Sequence, residues 1–406
     1  MVIYFDHAAT TPMRAEARDA WLRTADMVGN PHSIHSAGRA MLSVVEEARE
    51  QIAAVVDATP VEVLFTSGGT EAINTSIKGL YWSRQRDQAR PIILAPGGEH
   101  HATSDTIEWL EQRQGAHAIW LPVDEHARID LTALDSALRE HGDRVALLSL
   151  IWANNEVGTV QPVAEAARLA AEYGVPTHSD AVAALGSVPV RFGGTGLAAM
   201  SVSGHKVGGP VGTGALLLRR DVTVEPLLHG GGQQRRLRSG TVDAASVAAF
   251  AAATVAAVQG LEAHAAQLRA LRDRTIAGIR ELVPDAVLRG ADPGERLDGG
   301  VVLGAVAAGE QVEGRVPGNV HVTIPGVDGE SLQFLLDAAG FAVSQGSACT
   351  AGVAEASTVL LAMGCDEVTA RAALRITYGA GNTLDQVDAF LAALPEAVAR
   401  ARAAAR

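Results

Sequence analysis

Three side chains that can carry out chemistry stand next to small residues where an apolar, strand-like run ends. Lys206 follows such a run in SVSGHKVGGP, Asp180 ends another in THSDAVAALG, and His100 follows a third in GEHHATSD. A fourth run, VEVLF, leads into the glycines of TSGGTEAIN and then into a helical pattern. An amine, a carboxylate, an imidazole and a glycine turn are therefore expected at the ends of separate strands.

The lysine is unusual because the chain has almost none. Only Lys78 and Lys206 occur, and the other 31 of the 33 basic residues are arginines. Unlike arginine, lysine can lose its proton near neutral pH and attack a carbonyl as a free amine. Lys78 lies within a helical pattern and is expected to be a solvated charge. Lys206 stands in a small-residue turn, which leaves room for a ligand.

Each of these features has an ordinary structural alternative. The glycine turn around Gly69 can bind a phosphate with backbone N–H groups, but many strand-to-helix turns use glycine. Asp180 can cap a helix, His100 can be structural, and Lys206 can be a surface lysine. In combination, however, a lysine amine, a phosphate turn, a carboxylate and an imidazole describe a site for pyridoxal phosphate.

Alternating strand-like and helical patterns position these residues. Residues 163–174 form an amphipathic helix that ends in glycine. Alternation of this kind predicts a mostly parallel α/β sheet. The predicted strands are 61–67, 91–96, 117–123, 144–152, 175–180, 198–204 and 214–220.

The second half of the chain has a different pattern. A nearly continuous helix is predicted over 242–283; its alanine-rich part, 244–260, is long enough to span a membrane but is better interpreted as a buried or domain-linking helix. A smaller strand-and-helix region follows. We predict a large domain over 13–260, a small α+β domain formed by 1–12 and 261–406, and an insertion or flexible loop over 291–315, which is rich in glycine and acidic residues.

Composition restricts the class of protein. The chain has 406 residues, 48% of them hydrophobic, and a net charge of −13. Such a charge makes nucleic acid or an anionic membrane an unlikely partner. The two cysteines, Cys349 and Cys365, cannot form a disulfide framework, and no signal peptide is evident at the N-terminus. A cytoplasmic location is therefore expected.

Nine motifs in this order resemble those of the cysteine desulfurases, which are class V, fold-type I pyridoxal-phosphate enzymes. The resemblance runs from about residue 3 to residue 385. It is most specific in the combination of SGHK, the GGGQ and RSGT pair, and GSACT. The motifs are YFDHAATTP, GNPHSIH, TSGGTEAIN, EHHA, ANNEVGTVQP, HSDAVAALG, SVSGHKVGGPVGTGAL, HGGGQQRRLRSGT and GSACT.

The resemblance implies a role for each matching residue. Lys206 corresponds to the lysine that binds the cofactor covalently, Asp180 to the partner of the pyridine nitrogen, and His100 to the histidine stacked on the ring, with His101 as second choice. Asn155 corresponds to the residue near the phenolic oxygen. The remaining matches are the phosphate ligands Gly69, Thr70, Ser203 and His205, Thr241 reaching the phosphate of the neighbouring subunit, and Asn30 with Arg375 as the substrate-carboxylate pair.

The implied reaction converts L-cysteine to L-alanine and leaves a persulfide on Cys349 for transfer to an acceptor or scaffold protein in iron–sulfur cluster, thio-cofactor or thio-tRNA biosynthesis. Cys349 lies in a small-residue stretch, SQGSACTAGVAEAS, which predicts a loop with an accessible thiol. A thiolate is needed as the nucleophile, so a base such as His100 must assist. Cys365 is predicted to be structural. The match to Thr241 implies a homodimer.

Two departures from the family pattern leave related activities open. Ala183 stands where members usually carry a glutamine that contacts the phenolic oxygen, and the 291–315 segment is longer than in a typical member. A selenocysteine lyase, another C–S lyase, an aminotransferase and a weakly catalytic sulfur-carrier scaffold are the alternatives. A nicotinamide-binding protein is disfavoured, because GGPVGTG lacks the G-x-G-x-x-G spacing and an acidic ribose partner.

Overall fold

The computed structural model describes residues 2–305, 309–346 and 356–404. The chain begins with a short strand and two helices. Their bounds are β1 (Ile3–Tyr4), α1 (Ala15–Ala25) and α2 (Ser36–Val55).

A seven-stranded sheet follows, in which strands and helices alternate. The strands lie in the order β2-β8-β7-β6-β5-β3-β4, and every neighbouring pair is parallel except the two that involve β8. Most of these strands are buried on both faces, which is why they appear in the sequence as continuous apolar runs. The predicted mostly parallel α/β sheet is confirmed. The elements are β2 (Val63–Thr66), α3 (Gly69–Arg84), β3 (Ile92–Pro96), α4 (His101–Gln114), β4 (His117–Leu121), α5 (Leu131–His141), β5 (Val145–Ile151), α6 (Val163–Glu172), β6 (Thr177–Asp180), β7 (Ala199–Ser203) and β8 (Gly214–Leu218).

The direction of the strands brings the predicted site residues to one edge of this sheet. Strands β3, β5, β6 and β7 run parallel, and β2 runs in the same direction because β8 is antiparallel to both β2 and β7. The carboxyl ends of all five strands therefore meet at one edge, where α/β sheets bind ligands. Only β8 and the connecting helices run the other way.

The long helix predicted over 242–283 is two helices, α7 (Ala244–Gln259) and α8 (Leu261–Leu282). They meet at Gly260 with a bend of 71°. The prediction of a continuous helix was wrong. The alanine-rich sequence of α7 favours helix at every position and contains no pattern that marks where the chain changes direction. Among the described residues no single helix has the length and apolar composition to cross a membrane, although the bent pair meets these two criteria jointly.

The C-terminal part contains a three-stranded antiparallel sheet in the order β14-β12-β9, and β1 joins β13 as a parallel pair. Phe5 packs with Phe341, Tyr378 and Phe390, so the start of the chain is part of this second core. The domain boundaries proposed from the sequence stay a prediction. The elements are β9 (Val287–Leu288), β10 (Arg296–Asp298), α9 (Gly299–Leu303), β11 (Gln311–Glu313), β12 (Asn319–Thr323), α10 (Gly329–Ala338), β13 (Phe341–Ala342), α11 (Thr358–Ala362), α12 (Glu367–Arg371), β14 (Ala373–Thr377) and α13 (Leu384–Ala404).

The described part of segment 291–315 has regular structure, which differs from the flexible loop that its composition predicts. Strands β10 and β11 pair in antiparallel fashion, and α9 packs on α6. Val302, Leu303 and Val312 are buried in the core beside the large sheet. Arg128 also forms a bidentate ion pair with Glu295, in which Nη1 and Nη2 donate to the two carboxylate oxygens at 2.8 and 2.9 Å. The sequence signal was misleading because three apolar residues and one ion pair suffice to fix a short glycine-rich hairpin.

Candidate active site

Lys206 lies directly after the end of β7, in a single turn of 3₁₀ helix formed by Gly204–Lys206. The turn is tight: a Cβ atom on Gly204 would lie 2.8 Å from the side chain of Thr213 and 3.0 Å from the Pro210 carbonyl oxygen. The half-buried Lys206 ammonium donates a hydrogen bond to the Ala8 carbonyl, which brings the N-terminal segment to the site. Small residues in the motif therefore serve to place one amine at the sheet edge.

Asp180 ends the neighbouring strand β6 and is 3% exposed. Its Oδ1 accepts a hydrogen bond of 2.9 Å from the Val182 amide. Burial raises the pKa of Asp180 to about 6, although the Val182 N–H and the positive charge of Lys206 act in the opposite direction. A buried carboxylate with this pKa is stabilised by any cation that binds beside it.

His100 caps the N-terminus of α4, at the end of the connection from β3, and its Nδ1 accepts a 3.0 Å hydrogen bond from the Ala102 amide. Burial, helped by the charge of Lys206, lowers the pKa of His100 to about 4, so the ring is neutral at pH 7. Because Nδ1 is an acceptor, the neutral ring carries its proton on Nε2. His101 instead contacts Asp105 on the surface of the helix, which favours His100 as the residue of the site.

The glycine turn between β2 and α3 lies next to the end of β7. A Cβ atom on Gly69 would be 3.5 Å from Ser203 Cβ, so these two predicted phosphate ligands are in contact distance. Thr70, exposed in the first turn of α3, adds a hydroxyl to the positive end of the helix dipole. His205 Nδ1 lies 3.3 Å from Thr10 Oγ1, and burial with the charge of Lys206 lowers the pKa of His205 to about 4.

These groups fit the three parts of pyridoxal phosphate that need recognition. The helix N-terminus at Gly69 suits a dianionic phosphate. The buried carboxyl of Asp180 suits a protonated pyridine nitrogen, and the amine of Lys206 suits the aldehyde. Besides burial, the charge of Lys206 contributes to the pKa shifts of Asp180, His100 and His205, so these three groups lie within electrostatic range of its amine.

Arg375 connects Asn155 to the N-terminal segment. Arg375, on β14, is 2% exposed; its Nη1 donates to the Asn155 carbonyl at 2.9 Å and its Nη2 pairs with Asp6 Oδ1 at 2.9 Å. Its Nε has no hydrogen-bond partner among the described residues. A cavity of about 510 Å³ adjoins Asn155, Lys206 and Ala183.

Among the described residues, no hydrogen bond joins Asn30 or Thr241 to Lys206, Asp180, His100 or Arg375. Both residues are exposed. Asn30 Oδ1 accepts from the His32 amide at 2.9 Å, and no hydrogen bond within the described ranges joins it to Arg375. Their predicted roles toward the substrate carboxylate and a neighbouring subunit's phosphate therefore stay predictions.

Cys349 lies outside the described residues. Cys365 follows α11; its amide donates to the Leu360 carbonyl and its side chain packs against a small apolar cluster that includes Val359. Lys78 differs from the expected solvated charge, because its Nζ lies 4.3 Å from the centre of the Trp109 ring. The second lysine of the chain is thus occupied in a cation–π contact on α3.

Sequence reasoning missed three acidic residues at the site. Asp6 is the ion-pair partner of Arg375. Glu99 is 4% exposed, accepts a 2.7 Å hydrogen bond from the Ile151 amide, and has a pKa raised well above its usual value by burial. Glu156, also 4% exposed, has a pKa raised by burial. All three stand inside quoted motifs, and Glu99 and Glu156 directly adjoin His100 and Asn155, which were already assigned.

Comparison with known proteins gives one consistent result. The family model described as Aminotransferase class-V matches residues 3–390. An IscS-like cysteine desulfurase of Mycobacterium tuberculosis is 49% identical over 403 residues, which cover 99% of this chain and 98% of the relative. The cysteine desulfurase IscS of Methanosarcina thermophila is 37% identical, over 98% of this chain and 93% of that protein. A solved NifS-like protein superposes with a TM-score of 0.85 at 31% identity and covers 98% of this chain and 100% of its own.

Proposed function

This chain belongs to the class-V aminotransferase family and is a cysteine desulfurase, and we propose from that premise which of its residues carry out each part of the reaction. A cysteine desulfurase converts L-cysteine to L-alanine and retains the sulfur as an enzyme persulfide. The observation that carries the proposal is the convergence of Lys206, Asp180 and His100 at the carboxyl ends of separate strands of one sheet.

The proposed cofactor is pyridoxal phosphate, which the family implies. When bound, it supplies an electrophilic aldehyde and an electron-withdrawing ring. Gly69, Thr70, Ser203 and His205 would hold the phosphate, with Thr241 contributed across a homodimer. Asp180 would hold a proton at the pyridine nitrogen, which explains why a carboxyl is kept buried at the end of β6.

Lys206 would hold the aldehyde of the cofactor through its amine and would move a proton at the substrate Cα. Arginine cannot substitute because it does not release its proton near neutral pH. Arg375 would orient the substrate carboxylate, together with Asn30. Because Nη1 and Nη2 are already bound to backbone carbonyls and to Asp6, the guanidinium is held in a fixed direction.

The thiolate of Cys349 would attack the substrate sulfur and retain it as a persulfide. The persulfide sulfur would then pass to an acceptor protein. His100 holds its proton at Nε2 in the observed arrangement. To take the thiol proton of Cys349, His100 would have to give up the hydrogen bond that its Nδ1 accepts from the Ala102 amide. If this hydrogen bond is kept, the ring can act only as a proton donor. The cytoplasmic location expected from the cysteine content stays a prediction.

Two cysteine variants test the proposal. Cys349→Ser is expected to retain the visible absorbance of the bound cofactor but to lose persulfide formation and sustained alanine release from L-cysteine. Cys365→Ser, the matched control, removes the only other thiol and is expected to keep both. A Cys349→Ser enzyme that continued to transfer sulfur at the wild-type rate would refute the assignment of the nucleophile.

A further inference from the structure

Glu156 is a buried carboxylate to which the proposed reaction gives no role. It follows Asn155 in the connection after β5 and is 4% exposed. Its backbone is fixed on both sides: its amide donates to Asn154 Oδ1 at 2.9 Å, and its carbonyl accepts from Asn319 Nδ2 at 2.9 Å. The direction of the side chain is therefore set by the fold.

The carboxylate contacts residues on both sides of segment 347–355. Oε2 accepts a 2.5 Å hydrogen bond from Ser357 Oγ, which is 201 positions away in the chain. Gly346 lies against the same oxygen, since a Cβ atom there would be 3.1 Å from Oε2. With a φ of +111°, Gly346 also has a backbone conformation that other residues rarely adopt. One carboxylate oxygen is thus hydrogen-bonded to Ser357 and lies close to Gly346.

Each of these two contact points is itself anchored. The Gly346 amide donates to Ser344 Oγ at 3.1 Å, and its carbonyl accepts from Arg375 Nη1 at 3.2 Å. Ser357 Oγ accepts from the Leu360 amide and so caps α11. Since Ser357 Oγ already accepts from this amide, its own proton is directed to Glu156. Removal of the carboxylate would take away the group that lies between these two separately anchored residues.

We propose that Glu156 is a positioning residue whose carboxylate, hydrogen-bonded to Ser357 and packed beside Gly346, fixes the separation of these two residues, which flank the segment that carries Cys349. The inference rests on the proposed function, in which the Cys349 thiolate attacks the substrate sulfur. Fixing the ends of a connecting segment reduces its conformational freedom. Attack requires the reacting atoms to be held about 3–3.5 Å apart, and a misplacement of about 1 Å costs about a hundredfold in rate.

The test uses the holoenzyme with Glu156→Ala and Glu156→Gln. Glu156→Ala is expected to lower the kcat for alanine formation by roughly ten- to a hundredfold, while the visible absorbance of bound cofactor and the spectral change on binding L-cysteine persist. Glu156→Gln keeps an oxygen that can accept from Ser357 and is expected to recover most of kcat. Ser357→Ala removes the donor and should resemble Glu156→Ala if the latter fails to fold.

Asp366→Ala is the matched control for loss of a helix cap. Asp366 caps α12, which has five residues like α11, through a 2.7 Å hydrogen bond from the Thr369 amide. Its replacement is expected to leave kcat unchanged. An equal fall of kcat in Asp366→Ala and Ser357→Ala would overturn the inference, because general loss of α-helix capping would then explain both.

Two further results separate this inference from the proposed function. If wild-type enzyme forms a persulfide on Cys349 while Glu156→Ala retains full kcat, the inference alone fails. It also fails if cofactor loading and thermal stability fall in proportion to kcat, because the role of Glu156 is then structural. If wild-type enzyme forms no persulfide on Cys349, the proposed function fails, and the inference fails with it.

Discussion

Replacing Asp180 with asparagine is expected to stabilise the cofactor-free protein at alkaline pH. The wild-type carboxyl is 3% exposed, and burial raises its pKa from 3.8 to about 6. Ionising it in the folded state therefore costs free energy when no cofactor neutralises it. Asparagine retains an oxygen that can accept from the Val182 amide, so the hydrogen bond at that position is kept.

The magnitude and sign follow from the difference between folded and unfolded pKa values. Below about pH 3.8 the carboxyl of Asp180 is protonated in both states and the folded protein has its full stability. Stability is then lost as the pH rises from about 3.8 to about 6, at about 1.36 kcal/mol for each pH unit. The total loss, which is complete at pH 8, is about 3 kcal/mol. At pH 5 only about half of this is lost. The variant should avoid the loss at both pH values.

Urea denaturation of cofactor-free wild type and Asp180→Asn at pH 5 and pH 8 measures the effect. The stability difference in favour of the variant is expected to be larger at pH 8 than at pH 5 by about 1.5 kcal/mol. Asp130→Asn, at an exposed helix cap, controls for the change of carboxylate to amide. A difference that is equal at the two pH values, or larger at pH 5, would refute the conclusion that burial outweighs the charge of Lys206.

Three other substitutions test separate parts of the site and fold. Lys206→Arg should abolish the visible absorbance of covalently bound cofactor and lower alanine formation by about 10²–10⁴-fold; a spectrum like that of the wild type would contradict its role. Ala183→Gln places an amide at the cavity of about 510 Å³, and should shift that absorbance with little change in melting temperature; an unchanged spectrum would show that position 183 does not reach the cofactor. Arg315→Met leaves the carbonyls of Arg289, Ala291 and Asn319 without their donor, and should cost about 3–5 kcal/mol in urea denaturation, whereas a loss below about 1 kcal/mol would mean that these carbonyls find other partners.

Local patterns determined the large sheet and most of the site. Most of the seven strands are buried and apolar, and all seven could be found from the sequence within one or two residues at each end. Because the strands run in the same direction, the reactive side chains that follow them lie at the same edge of the sheet. Lys206, Asp180 and His100 could therefore be predicted to converge before any contact between them was known.

Contacts between distant parts of the chain were decided only by the tertiary structure. Arg375 pairs with Asp6 across 369 positions, and Ser357 reaches Glu156 across 201. Neither partner has a local pattern that points to the other, because an ion pair or hydrogen bond depends on where two separately folded segments meet. The break at Gly260 has the same origin, since a uniformly apolar helix gives no preferred face and only its neighbours decide where the chain turns.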